Sequence, residues 1–255
     1  MSNALSVWQR LKRQVRVLPQ TCANSFRFSL VPQLPRWFRV PASVRIGRRA
    51  VPLAAPDEPG ISADFLTCVL WNTYGLGRRL GAVHTVLDIG ANVGFFSLAA
   101  RGRYPRAVIH VYEPNPRVLP FLRANTAGLD ISLHPEAVSD RADWVTMVDT
   151  GPSNAAQTRA ALEAGKGIRQ ISLTTAVERM GGRVDLLKMD CEGAEWEILR
   201  LDEGWEAIRN IRMEYHLFHG ETVDQMVAAL RAKGYRILSI GELNEVGGTI
   251  WAARD

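Results

Sequence analysis

Long hydrophobic runs are missing from this 255-residue chain. No uncharged apolar stretch reaches the roughly 18 residues that a membrane-spanning helix needs, so none is expected. The first residues offer no uninterrupted apolar segment, because Arg10, Lys12, Arg13 and Arg16 break it up. A secretory leader is therefore not expected. Cysteine is scarce: Cys22, Cys68 and Cys191 form no CxxC pair and are odd in number. A reduced, cytoplasmic compartment is the expectation. Internal repeats and low-complexity tracts are also absent. Acidic residues are missing from residues 1–56, which hold ten Lys or Arg and no Asp or Glu. The other 199 residues carry 21 bases against 26 acids, so the formal net charge of +5 describes neither part.

The basic start has a pattern. Leu5, Trp8, Leu11, Val15 and Leu18 recur at helical spacing among Lys and Arg, which predicts a basic amphipathic helix. Such a stripe suits either an anionic membrane surface, with the protein peripheral to it, or packing in a homodimer. Prolines 19, 32, 35, 41, 52, 56 and 59 follow, so residues 19–60 are expected to be mainly extended arm and loop. Within them "SVRIGRRAVPL" has the makings of a short strand or hairpin. The expected organisation is an arm over 1–60 and a domain over 61–255.

From Ile61 the character changes. Ser62 is the expected N-cap of a helix running to about Leu80. Strand-like runs then alternate with helical ones. The strands are "TVLDI", "AVIHVYE", "ISLHPEAV", "WVTMVD", "DLLKMD", "IRNIRMEYH", "YRILSI" and "GGTIWAAR". Helices are expected near 94–102, 116–127, 174–181, 194–201 and 221–233. This alternation predicts an α/β fold with a mostly parallel sheet covered on both faces, whose ligands sit at the carboxyl ends of the strands.

The stretch "VLDIGANVGFF", residues 86–96, puts an acid beside a glycine turn. Gly90 and Gly94 let the backbone bend and approach a ligand. Asp88 argues against a tightly held pyrophosphate and for a ligand with positive charge or several hydroxyl donors. The next strand ends in Glu113, 19 residues after Gly94, near the roughly 20-residue spacing of a ribose-binding acid. S-adenosylmethionine joins a cationic amino acid to a ribose and an adenine, and it meets these demands. A nicotinamide enzyme would show G-x-G-x-x-G, whereas here the pattern is G-x-x-x-G with Asn92 inside.

"VLDIGANVGFFSL", "VYEPNP", "AVSD" and "DLLKMDCEGAE", in this order, resemble the FkbM-type family of class I S-adenosylmethionine-dependent methyltransferases. The resemblance spans about residues 83–217 and is most specific at "KMDCEGAE". It implies a Rossmann-like seven-stranded sheet and O-methylation of sugars, glycan precursors or secondary metabolites. It assigns Asp88, Gly90, Asn92 and Gly94 to the first cofactor loop, with Asp88 toward the methionine end. Glu113 falls to the ribose, with Asn115 in the same turn. Ala137, Val138 and Ser139 flank the adenine, and Asp190, Glu192 and Glu195 are the acids of the late motif. Two positions depart from the family's habit: Cys191 stands where Val is common, and "TTAVER" replaces a T-L-D sequence.

Methyl transfer to a hydroxyl needs alignment and a route for the proton. Asp190 ends one central strand, and Glu214 with His216 ends the next, so the three are expected to converge as the catalytic group. His216 is one candidate base. A divalent metal bridging Asp190 and Glu214 is the other route, and the metal-free version is preferred because the paired aspartates of metal-dependent sugar methyltransferases are not repeated. Glu195 is expected to cap the helix after Gly193. Lys188 is expected to pair with a neighbouring carboxylate, and Cys191 to serve as packing. The acceptor is expected to be a small molecule or glycan. Methylation of a peptide or nucleic acid, and a non-catalytic cofactor-binding scaffold, are the alternatives. Nucleic acid is disfavoured because the late strand lacks the N/D-P-P-Y/F motif of amine methylases.

Overall fold

The computed structural model describes residues 18–30, 38–148, 151–152, 156–161, 163 and 166–254. The amphipathic helix expected from Leu5 lies, except for Leu18, outside them. Where extended arm was expected, residues 18–28 are helical (α1). Strands β1 (Ser43–Ile46) and β2 (Arg49–Pro52) then form an antiparallel hairpin. Tertiary packing overrides the proline-rich composition. Phe28, Val44, Ile46 and Val51 are all buried in one core with the helices that follow. The Phe28 ring lies against Gly102, where an added Cβ would be 2.8 Å away.

The next helix is also shorter than expected. Helix α2 (Ile61–Phe65) follows Gly60 rather than a Ser62 cap, and continues only as a wider π-type turn over Leu66–Leu70. Asn72 ends it. Its backbone enters the left-handed region at φ 52°. Its side chain accepts from the Leu76 N–H at 2.7 Å and donates to the Leu76 carbonyl at 3.0 Å, closing a turn instead of extending a helix.

Strands β3 (Thr85–Ile89), β4 (Val108–Tyr112) and β5 (Ile131–His134) begin the main sheet. The chain then leaves it. Strands β6 (Ala137–Ser139), β7 (Asp143–Val148), β8 (Gln157–Ala160) and β9 (Ile168–Ser172) build a separate four-stranded sheet in the order β6-β9-β7-β8. The single strand expected at "ISLHPEAV" is therefore two strands in two sheets. Pro135 lies between them, with no N–H to continue a ladder. The main sheet resumes with β10 (Leu186–Met189), β11 (Asn210–His216), β12 (Arg236–Asn244) and β13 (Gly247–Ala253). Its order is β12-β13-β11-β10-β3-β4-β5. Every pairing is parallel except those of β13 with β11 and β12. The Rossmann-like, seven-stranded, mostly parallel sheet is thus as expected.

Alternation along the central strands makes two cores. Val86 and Leu186 point to the face covered by α2, α3 (Phe95–Arg103) and α4 (Leu119–Thr126). Leu87, Ile89, Leu187 and Met189 point to the other face, packed by α5 (Leu173–Arg179), α6 (Glu195–Arg200) and α7 (Val223–Ala232). Lys188 stands beside Asp88 on β3 and Arg212 on β11 by register. All three are buried, so the first face carries a row of charges through its middle. Among the described residues, no helix is long and apolar enough to cross a membrane.

Candidate active site

A cleft of about 220 Å³ opens at the carboxyl ends of β3, β4, β10 and β11, where a doubly wound sheet holds its ligands. Its floor is the loop after β3: Gly90, Ala91, Asn92 and Val93 all line it. Gly90 has φ 75°, and a Cβ there would fall 1.7 Å from the Asp190 carbonyl oxygen. Only glycine lets β3 and β10 leave the sheet this close together. Gly94 sits behind the cleft, in left-handed backbone at the start of α3.

Glu113 fixes the loop. Its two carboxylate oxygens accept the backbone N–H groups of Asn92 at 2.7 Å and Asn115 at 2.8 Å. Burial, opposed by those two N–H donors, pushes its carboxyl up to about 7. It lines the cleft and each oxygen keeps a free lone pair for a ligand hydroxyl. The Asn92 amide donates to Asp64 at 3.4 Å. Asn115 does not line the cleft; its side chain accepts from the Arg117 N–H at 3.0 Å and shapes the turn. Ala137 and Val138 form part of the wall, but Ser139 turns away to donate to Glu197 at 2.6 Å.

Asp88 lies beneath the floor, not in it. It is fully buried, accepts from the Ser97 hydroxyl at 2.5 Å, and is 3.4 Å from the Lys188 ammonium. The contact with the methionine end expected of it is therefore out of its direct reach. Lys188 does line the cleft, and among the described residues it is the only Lys, Arg or His that does so. It donates to the Gly90 carbonyl at 2.5 Å and lies 3.6 Å from Asp190. Burial acts to lower this ammonium's pKa, but Asp88 and Asp190 outweigh burial and raise it, so the lysine stays charged. The expected carboxylate pairing of Lys188 is present, with two partners.

Acids gather on the side of β10 and β11. Asp190 accepts the Tyr74 hydroxyl at 2.9 Å. Glu214 lines the cleft, and its side chain makes no hydrogen bond or ion pair with the described residues; burial first, then Asp190, pushes it up to about 8. Glu192 also lines the cleft. It holds left-handed backbone at φ 54°, and burial followed by Asp190 pushes its carboxyl up to about 8. Glu195 is fully buried and accepts the N–H groups of Cys191 at 2.5 Å and Gly193 at 2.8 Å, so it closes the turn before α6 instead of capping the N–H groups of the helix itself.

His216 is set back from the cleft wall. Its Nε2 is 3.4 Å from Glu192 and its Nδ1 is 3.4 Å from Glu195. Burial pulls the imidazolium down, but Glu195, then Glu192 and Asp190, outweigh it and push His216 up to about 9. A histidine charged at neutral pH cannot accept a proton there, so the expectation that His216 serves as base is corrected. Of the expected trio, Asp190 and His216 come together, with Glu192 rather than Glu214 as the third member: ligand atoms of Asp190, Glu192 and His216 all lie within 4.8 Å of one another. Cys191 is a partly buried thiol raised well above its ordinary range by desolvation, then Glu195, consistent with packing rather than nucleophilic chemistry.

Three contributors were not anticipated. Tyr74 and Asp64 come from the segment before β3, and Thr158 from β8 of the second sheet. Their contacts span long stretches of sequence, and no local spacing announces them.

The site can be compared with known proteins. The methyltransferase FkbM domain model matches residues 88–237. The methyltransferase sdnD of Sordaria araneosa is 31% identical over 193 residues, 60% of this chain and 73% of that protein. The 31-O-demethyl-FK506 methyltransferase FkbM of Streptomyces tacrolimicus is 28% identical over 203 residues, 65% of this chain and 77% of that protein. The crystal structure of the methyltransferase FkbM of Methylobacillus flagellatus KT overlaps 74% of this chain and 47% of that one, at 14% identity and a TM-score of 0.49. With more than half its length matched by the domain model, the chain belongs to the FkbM family of S-adenosylmethionine-dependent methyltransferases.

Proposed function

We propose that the protein methylates a hydroxyl of a neutral small molecule: a sugar, a glycan precursor or a secondary metabolite. The observation that carries this is the acidic edge of the cleft, where Asp190 and Glu214 converge from neighbouring strands. S-adenosylmethionine fits the other end. Its ribose hydroxyls suit Glu113, its adenine suits the wall at Ala137 and Val138, and its positive charge suits a cleft lined by acids. It supplies an electrophilic methyl group.

The chain's own residues do the rest. Tyr74 and Lys188 fix Asp190 in one orientation. An acceptor hydroxyl hydrogen-bonded to Asp190 lies within reach of Glu214, which takes the proton once it is itself ionised, so turnover should rise with pH through about 8. The walls align the reacting atoms, and alignment accounts for much of such a rate.

The lining also speaks to the acceptor's charge. Asp64, Glu113, Glu136, Asp190, Glu192 and Glu214 face the cleft, and Lys188, the one cation lining it among the described residues, is already engaged. A phosphate or carboxylate on the acceptor would oppose the ionisation of Glu192 and Glu214, which burial already pushes up to about 8. That disfavours nucleic acid and phosphorylated sugars. The name of the Streptomyces tacrolimicus relative, a 31-O-demethyl-FK506 methyltransferase, agrees with methyl transfer to an oxygen.

The test follows methyl-labelled S-adenosylmethionine in an extract of the source cells. Label in neutral small molecules or glycans supports the proposal. Label confined to protein or nucleic acid overturns it, and no transfer by a cofactor-binding protein points to a scaffold.

A further inference from the structure

The geometry points to a divalent-cation site formed by Asp190, Glu192 and His216, at the acceptor end of the cleft. This inference deepens the methyltransferase reading and rests on it for its purpose, but not for its test. Two carboxylates and one imidazole each offer a ligand atom, and these atoms lie within 4.8 Å of one another. Ligands on opposite sides of one ion stand about 4–4.6 Å apart, so small side-chain adjustments would close the shell. The set is mixed in softness, two oxygens and a nitrogen, which suits Mn²⁺ or a neighbouring first-row ion better than Ca²⁺.

A second feature is independent of the acids. The His216 side chain is only 10% exposed, and its Nδ1 makes no hydrogen bond. Its ring lies between Glu192 and Glu195 at 3.4 Å on either side. An ordinary charge-assisted hydrogen bond closes to roughly 2.7–2.9 Å, and neither contact does. With an ion displacing the proton on Nε2, the arrangement becomes coherent. A metal-bound histidine typically donates its other ring N–H to a carboxylate, and Nδ1 faces Glu195. That carboxylate is in turn oriented by the N–H groups of Cys191 and Gly193. Glu195 thus becomes a positioning residue, Glu192 and Asp190 become ligands, and Glu214 stays free for the proton.

Three protein ligands leave positions on the ion open. An acceptor with a hydroxyl, or two vicinal ones, would fill them, and the ion would orient the oxygen and ease loss of its proton.

Electron paramagnetic resonance of MnCl₂ titrated into the full-length protein tests this directly. The free Mn²⁺ signal is expected to fall until one ion is bound per chain. Glu192→Gln and His216→Gln should each weaken uptake by at least ~10-fold, and Glu195→Gln by ~10- to 100-fold. The exposed Glu203→Gln should not change it. Circular dichroism checks that each variant is folded; if His216→Gln is not, Glu192→Gln carries the test. A folded wild-type protein that leaves the Mn²⁺ signal at full height overturns the site. So does uptake that Glu192→Gln leaves unchanged. Calorimetry of S-adenosylmethionine without metal reads the methyltransferase account separately: cofactor binding without Mn²⁺ uptake removes the cation site alone.

Discussion

Tyr74 donates its hydroxyl to Asp190 at 2.9 Å, although 116 residues separate them. The tyrosine belongs to the turns before β3 and the aspartate to the end of β10, so the contact ties the first segment of the domain to the catalytic edge. Tyr74 is itself buried and stacks edge-on with Phe96 at 5.3 Å between ring centroids. Removing only the hydroxyl keeps that packing. Hydrogen bonds to charged groups are worth roughly 1.5–3 kcal/mol. Tyr74→Phe should therefore lower kcat by ~10- to 100-fold while cofactor affinity stays the same. Steady-state kinetics beside calorimetry separates the two effects, and an unchanged kcat would remove Tyr74 from the account.

Glu214 is the group assigned to take the proton. Glu214→Gln keeps its shape and removes its basicity. General-base loss typically costs ~10²- to 10⁴-fold, so turnover should fall by that factor with S-adenosylmethionine binding intact. A variant that turns over at the wild-type rate would transfer the role to another acid of the cluster.

Glu113 gives a pH dependence with a definite sign. Its carboxyl is pushed up to about 7 in the free protein. The protonated form gives up acceptor capacity, so cofactor affinity should rise as pH increases from about 6 to 8 and level off above that. The same shift acts on stability in the opposite sense. The folded state keeps a proton that the unfolded state releases near the ordinary carboxylate value, so this contribution to stability declines as pH rises from there through about 7. Glu113→Gln should flatten both trends. Affinity that falls over the same pH range in the wild-type protein would contradict the assignment.

Gly90 tests the close approach of two strands. A methyl group there collides with the Asp190 carbonyl and holds a φ of 75°. Such a substitution combines backbone strain with a clash, for roughly 2–4 kcal/mol of lost stability. The melting temperature of Gly90→Ala should drop by roughly 5–15 °C. A wild-type melting curve for that variant would mean that β3 and β10 separate more easily than their register indicates.

The residues before Ile61 supply core, which deletion exposes. A protein beginning at residue 18 should remain folded. One beginning at residue 61 loses Phe28, Val44, Ile46 and Val51 from the face of α3, and should aggregate or melt well below the parent. Equal melting curves for the two would make the early segment an appendage.

Much of this was legible in the sequence where the signal was local. The strands of the main sheet, the glycine loop and Glu113 follow from period-two alternation, turn chemistry and spacing along one βαβ unit. The convergence of Asp190 with His216 could be foreseen because their strands end side by side. Other features depend on distant partners. Asp88 looks like a ligand from its place beside the loop, but Lys188 and Ser97 take it into the interior. Ser139 looks like cofactor wall, but Glu197 draws it away. The protonation of His216 is set by Glu195 and Glu192, whose positions depend on the turn after β10. Helix α1 forms within a proline-rich stretch because Phe28 finds Gly102, a contact that composition cannot reveal. The weakly patterned strands β8 and β9 gave no hydrophobic run to detect, so the second sheet was missed as a unit.

The account stands on a cofactor held between the Gly90 loop and Glu113, and calorimetry measures that most directly. S-adenosylmethionine should bind the wild-type protein one to one, and a folded Glu113→Ala variant should bind it ~10- to 100-fold more weakly, as the loss of charged hydrogen bonds to the ribose requires. Equal affinity in the two proteins, with the variant shown to be folded, would contradict the placement of the cofactor and with it the orientation of the whole cleft.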